Sequence, residues 1–299
     1  MQDHFTSSSL APSSKQLFNN KIHKWLSFFP IASRDIIFLI MFPSKSTKYL
    51  SSGLTESENT ATNIHMYISA ICALFKHSPV TSSLPDKDTL SAKWISLQKI
   101  NSAQLERRKD THAPTDLQLV KSGSHLSLQQ IIEARDALTD GSIERLLISM
   151  YTLIPPVRAD FFATQIVRPG ETPISSNYLI LKPDSAALIL NDFKTSASYH
   201  QIKHESLPTS LFNQIKLSLA LHPRQFLFVN ADGNPYTRNA FTAWANRTFS
   251  RVLSADFSLT LLRHIYISSL TDIAITDLDK IGKQMGHSLQ MQHVYSWKV

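Results

Sequence analysis

The chain has 299 residues, 42% of them hydrophobic, with 7 glycines, 1 cysteine and a formal charge of +7. That length predicts two domains and the scarcity of glycine favours a compact, largely helical protein, while a lone cysteine excludes a disulfide framework or a cysteine-rich zinc site and favours a reducing intracellular compartment. Residues 1–115 hold 13 Lys+Arg against 8 Asp+Glu, so +5 of the +7 falls in the N-terminal third, which fits a front domain that grips a polyanion.

Residues 1–14 are serine-rich without an apolar period and read as a mobile tail. Lys15 to Phe42 reads as two short helices split by Pro30. Within it, DIIFLIMF from Asp35 to Phe42 is too short to span a bilayer and is expected as a buried helix. Pro43 and the serine-rich stretch Ser44 to Ser52 read as a connection. From Thr60 to His77, Ile64, Tyr67, Ile68, Ile71, Leu74 and Phe75 recur at helical spacing, and Ser78 and Pro79 stop the run. Cys72 lies in this stripe as core filler. Asp88 to Arg108 predicts a further helix carrying Trp94, Leu97 and Ile100. It ends in the basic cluster ERRKD, either a solvated helix end or a phosphate contact. Thr111 to Asp116 (THAPTD) has the composition of a linker, which divides the chain into domains 1–112 and 113–299.

In the second part, Leu126 to Leu138 and Ile143 to Leu153 predict helices. Pro155 and Pro156 must end the latter, so Arg158 is delivered on a turn with Asp160 two residues on. Taken alone, that pair reads as a surface salt bridge. Asn177 to Leu207 has the strongest β character and predicts three antiparallel strands, around Tyr178–Leu181, Ala187–Phe193 and Tyr199–Glu205, with Lys194 at the edge of the second turn. Helices are expected over Leu211–Ala220 and Asn239–Leu253. The loop between them, with Asp232, Gly233 and Asn234, lacks a phosphate-cradling glycine pattern, and the twelve histidines show no metal-ligand spacing. The final stretch runs SLTLLRHIYISSLTDIAITDLDKIGKQMGHSLQMQHVYSWKV from Ser258. Arg263 and His264 open one helical run there, Gly286 and His287 close another, and Tyr295 lies near the end. Leu261, Leu262, Ile265 and Leu270 mark a core face. The fold class expected is mainly α with a small antiparallel β-sheet (α+β).

LLRHIY, a helix ending in MGHS, and a tyrosine eight residues after that histidine together resemble the C-terminal signature of the tyrosine recombinases, the phage-integrase family. The resemblance covers residues 116–299 and the N-terminal third only in outline. It implies a helical core-binding domain in front of a catalytic domain. The activity implied is site-specific DNA recombination or integration through a 3′-phosphotyrosine intermediate, without cofactor or metal. Tyr295 would be the nucleophile, Arg158, Arg263 and His287 would hold the phosphate, and Lys194 would protonate the leaving 5′ oxygen, with Lys203 and Tyr266 as substitutes for Lys194 and Tyr295. The partner implied is double-stranded DNA, on which copies of the chain would assemble as a dimer to tetramer inside the cell, away from any membrane. Two positions depart from the pattern. Thr260 stands where the family commonly has a histidine three residues before its second arginine, and the step from His287 to Tyr295 is about one residue short. The PPVRAD turn is similar to that of divergent recombinases of eukaryotic mobile elements and large DNA viruses. The same residues leave open a type IB topoisomerase, or a DNA-binding protein that has lost catalysis, for which Thr260 is the main argument.

Overall fold

A computed structural model describes residues 3–6, 8–110, 127–270 and 275–296. The chain is mostly helical (58%) with a small mixed four-stranded sheet, an α+β fold. It divides into two compact units, Met1–Thr111 and His112–Val299. The expected linker Thr111 to Asp116 lies outside the described residues, as do the side chains of Arg108, Lys109 and Asp110 in the ERRKD cluster.

The first unit is helical: α1 (Pro12–Ser27), α2 (Ile36–Met41), α3 (Pro43–Gly53), α4 (Ala61–His77) and α5 (Lys87–Asp110). Thr60 caps α4 by accepting from the Asn63 amide. The core is aromatic, with Trp25 edge-on to both Trp94 (5.7 Å) and Tyr67 (5.8 Å). Both indole N–H groups find carbonyls, Trp25 Nε1 donating to Ser46 O and Trp94 Nε1 to Ile40 O, each at 2.9 Å. The Cys72 thiol is partly buried, and burial pushes its pKa up to about 11, which leaves it an unreactive filler.

Two expectations change here. The expected tail is pinned: Phe5 is fully buried, the His4 amide donates to Asn19 Oδ1 at 3.1 Å, and Asn19 donates to Asp3 at 2.6 Å. One aromatic residue is enough to dock a polar stretch whose composition alone reads as unstructured. The Ser44 to Ser52 stretch is the helix α3 rather than a connection. Pro43 starts it at the first helical position, and Thr47, Ser51 and Ser52 turn their hydroxyls back onto carbonyls four residues earlier, at 3.0, 3.1 and 2.8 Å. Leu50 and Ser46 anchor it in the core. Among the described residues, no helix is long and apolar enough to cross a membrane.

The second unit runs α6 (Leu128–Asp136), α7 (Ile143–Thr152), β1 (Gln165–Val167), β2 (Asn177–Leu181), β3 (Ala186–Leu190), α8 (Ser196–Tyr199), β4 (Ile202–His204), α9 (Thr209–Leu221), α10 (Arg238–Leu253), α11 (Leu259–Ser268), α12 (Ile275–Gln284) and α13 (Leu289–Tyr295). Ser127 and Gln130 form a capping box at the start of α6. The sheet order is β1-β2-β3-β4. Its β2-β3 and β3-β4 pairings are antiparallel as expected, but a fourth strand, β1, joins parallel to β2. Three residues are too few to betray a strand by periodicity. The last strand is shorter than expected because Ser196 to Tyr199 closes into one helical turn. The buried strand β3 packs with α7, α10 and α11 in a single core that includes Leu147, Tyr151, Leu188, Phe241, Phe249 and Leu262.

Candidate active site

Four local devices bring the predicted residues to one place. The first is the stop after α7. Pro155 and Pro156 cannot continue that helix, and the following turn is held by the Tyr151 hydroxyl, which donates to Arg158 O at 2.5 Å, and by the Arg158 amide, which donates to Asp160 Oδ2 at 3.1 Å. Tyr151 is fully buried, and burial raises its phenol pKa well above the ordinary value, so the hydroxyl stays a donor.

The second device is the turn after β3, where buried Phe193 anchors exposed Lys194. The third is α11. Ser258 caps it by accepting from the Leu261 amide at 3.2 Å, and Leu259, Leu261, Leu262 and Ile265 sink into the core. Thr260 and Arg263 lie one turn apart on the same helix, Thr260 exposed and Arg263 only 1% exposed.

The fourth is the pair of helix ends around His287. The His287 amide donates to Gly282 O (3.0 Å) and the Gly286 amide to Lys283 O (3.1 Å), the two bonds of a Schellman motif closing α12. Gly286 has φ +67, and an added Cβ would meet the Phe193 ring and Ile202 at 3.2 Å, so both conformation and space require glycine. Ser288 then caps α13, accepting from the Met291 amide at 3.3 Å, and Tyr295 is its last residue.

Arg158, Lys194, Thr260 and Arg263 line one cleft of about 440 Å³. His287 and Tyr295 stand directly behind Arg263. The Arg263 Nη2 group donates to His287 Nδ1, and its guanidinium lies 4.8 Å from the centre of the Tyr295 ring. The rings of His287 and His264 flank Tyr295 at 5.3 and 4.7 Å, and His264 Nδ1 donates to the Tyr295 carbonyl at 3.0 Å. Tyr295 is 8% exposed, packed from three sides. The Gly286 carbonyl accepts from the Thr195 hydroxyl (2.6 Å) and from Arg158 Nη1 (3.4 Å), which ties the His287 turn to two cleft-lining segments. The structure thus brings together all five predicted residues: Arg158, Lys194, Arg263, His287 and Tyr295. Lys203, the substitute lysine, lies on β4 and instead pairs with Glu205 just beyond that strand. Tyr266, the substitute tyrosine, packs on the outside of the small satellite core of Ile267, Met285 and Tyr295, and does not line the cleft.

The electrostatics are unusual for a buried site. Burial lowers the Arg263 pKa to about 10, still far above neutrality. Burial, then the nearby charges of Arg263 and Arg158, lower that of His287 to about 3, so the imidazole is neutral. Because a guanidinium can only donate, His287 Nδ1 must accept, and the single ring proton of the neutral imidazole sits on Nε2. Arg263 Nε, Arg263 Nη1 and His287 Nε2 are all buried without a hydrogen-bond partner among the described residues. Each such atom carries an N–H and is a standing cost of roughly 1–3 kcal/mol. An anion with several oxygens is the ligand that would satisfy them together.

Residues not expected from the sequence complete the cleft. Arg238, at the first position of α10, pairs with Asp160 and with Asp192 (3.1 Å). Buried Asn177 spends its whole amide on the same two segments. It donates to Asp160 O (2.8 Å) and Asp192 O (3.0 Å) and accepts from the amides of Asn191 (2.9 Å) and Asp192 (2.8 Å). One signal for Arg238 was available: a cation in the first turn of a helix opposes the macrodipole and calls for a carboxylate. Asn177 left no such trace, being one polar residue at the start of a strand.

No family model matches the chain, and no curated protein matches it significantly. Among solved structures, the crystal structure of XerA recombinase aligns over 97% of this chain and 89% of its own, at 12% identity and a TM-score of 0.41. So loose a superposition leaves the chemistry to this chain's own side chains.

Proposed function

We propose that the second unit breaks and rejoins DNA strands through a covalent 3′-phosphotyrosine, and that the protein is a recombinase or integrase of the tyrosine class acting on double-stranded DNA. The observation that carries this reading is the cluster of unspent donors on Arg263 and His287, beside Arg158 and in contact with the ring of Tyr295. Two forked guanidinium groups and a neutral imidazole N–H match the non-bridging oxygens of a phosphodiester as it becomes five-coordinate. In the reaction proposed, the Tyr295 phenol oxygen attacks phosphorus and its proton is released to solvent. The bond from phosphorus to the 5′ oxygen breaks, and the Lys194 ammonium protonates that oxygen. The phosphotyrosine conserves the bond energy, so attack by a different 5′ hydroxyl rejoins strands and regenerates the phenol. Exchange between duplexes needs more than one such site, which implies assembly of several copies on DNA. The basic first unit would supply a second grip on the duplex.

The test is covalent trapping. Incubated with fragmented DNA and quenched in SDS, the full chain should carry a DNA adduct whose sequenced ends report the target. Tyr295→Phe should form none while binding DNA almost as tightly, because phosphate contacts dominate affinity and one oxygen is lost. An adduct that persists in Tyr295→Phe moves the nucleophile elsewhere. Binding without an adduct on any DNA would instead mark a DNA-binding protein without catalysis, and relaxation of a plasmid that lacks the target would mark a type IB topoisomerase activity.

A further inference from the structure

We propose that Arg238 is a positioning residue, a link that holds the turn bearing Lys194 in register with the turn bearing Arg158; this rests on the phosphoryl-transfer reading above. Its guanidinium touches both turns at once. Nη1 pairs with Asp160 Oδ1, while the other oxygen of Asp160 accepts the Arg158 amide at 3.1 Å. Nη2 donates to the carboxylate of Asp192 at 3.1 Å and to its carbonyl at 3.3 Å. Asp160 lies two residues after Arg158 and Asp192 two before Lys194, so one rigid planar group spans the distance between the phosphate clamp and the acid. A lysine at this position offers a single nitrogen and cannot span it.

Arg238 also lines the cleft, which raises the alternative that it binds the phosphate itself. Charge argues against that. Two carboxylates already answer this one guanidinium, so the cluster is net negative, whereas Arg263 is buried with donors unspent. The Phe162 ring, 4.6 Å from the guanidinium carbon, further fixes its plane. Asn177 bridges the same segments, but through backbone groups of Asp160, Asn191 and Asp192, and so keeps the walls together whichever residue stands at 238. Removing Arg238 should therefore loosen the placement of Lys194 without collapsing the cleft.

The test separates proton delivery from phosphate binding. Single-turnover cleavage by the full chain is measured on a suicide duplex carrying a site recovered by adduct trapping, once with the ordinary 5′ oxygen and once with sulfur in its place. A thiolate leaves without being protonated, its conjugate acid having a pKa of about 8.5, so the sulfur substrate has no need of an acid. Arg238→Ala should be slower than wild type by about tenfold or more on oxygen and within about threefold on sulfur, as should Lys194→Ala, and Arg238→Lys should not restore the oxygen rate. The double variant Arg238→Ala/Asp160→Asn leaves no buried charge at position 160 and keeps an acceptor for the Arg158 amide. It should show the same rescue by sulfur even where Arg238→Ala alone folds poorly. Equal losses on the two substrates, or no loss on oxygen, would overturn the link while leaving the reaction standing. If wild type traps no adduct on any DNA, the reaction itself is overturned, and the link with it.

Discussion

Along the wall of the cleft that carries Arg158 and Lys194, the buried polar groups have spent their hydrogen bonds on one another: Asn177 makes four, and Asp160 answers both Arg238 and the Arg158 amide. Across the cleft, Arg263 and His287 are just as buried, yet they make one bond to each other and, among the described residues, leave three donor atoms unmatched. The first wall has the form of a scaffold and the second that of a receptor. Satisfied buried networks fix positions, whereas unsatisfied ones hold binding capacity at a cost in stability.

The widest consequence of that contrast should come from breaking the satisfied wall. Arg238→Ala leaves Asp160 charged and 1% exposed, so unfolding in urea should show a loss of about 3 kcal/mol, most of it recovered by adding Asp160→Asn. A loss under about 0.5 kcal/mol, the level of an ordinary surface change, would mean that the pair does not hold the wall.

Next in size are the arginines under the proposed chemistry. Arg158→Lys and Arg263→Lys should each slow cleavage about a hundredfold, or ~2.7 kcal/mol, and by more than they weaken binding, because a point charge cannot reproduce a fork at the transition state. Equal losses in cleavage and binding would reduce both to ordinary DNA contacts.

Acid should find the unsatisfied wall first. His287 and His264 have pKa values lowered to about 3 and about 4 from an ordinary 6.5, burial being the main cause in both. Since the folded values lie below the unfolded one, the unfolded chain takes up these protons first. The stability is intact above pH 6.5 and is lost as pH falls towards 4 and then 3, at about 1.4 kcal/mol per pH unit for each histidine. Urea unfolding across that window should show the slope, and His287→Gln should flatten it. An unchanged slope in that variant would mean that the imidazole is not held neutral by its surroundings.

The smallest effect expected has the opposite sign. Arg263→Met removes a buried cation that forms no salt bridge among the described residues and fills its volume with apolar atoms, so it should stabilise the chain by about 1 kcal/mol while abolishing cleavage. Destabilisation of the unliganded protein would show that Arg263 serves the fold as well as the site.

Much of the architecture was legible because it follows local rules. The prolines after α7 and the glycine in MGHS each act within a few residues of themselves, and the apolar stripe of α4 repeats often enough to be read. The helix α3 was missed because serine hydroxyls favour turns in general and here bond back into the helix. The strand β1 was missed because three residues carry no period, and the docked N terminus because a single aromatic decides it.

Which chemistry-bearing residues exist, in what order, and which turns and caps deliver them all follow from the amino-acid order, since backbone preferences at proline, glycine and capping serines are short-range. Which of those groups are matched and which remain unspent depends on contacts made across the folded unit. Arg263 meets His287 from 24 residues away, and Arg238 finds Asp160 from 78. Such choices are set by packing and desolvation over the whole unit, where a buried donor is satisfied or left bare according to what else the core brings beside it, and no window of sequence contains that sum.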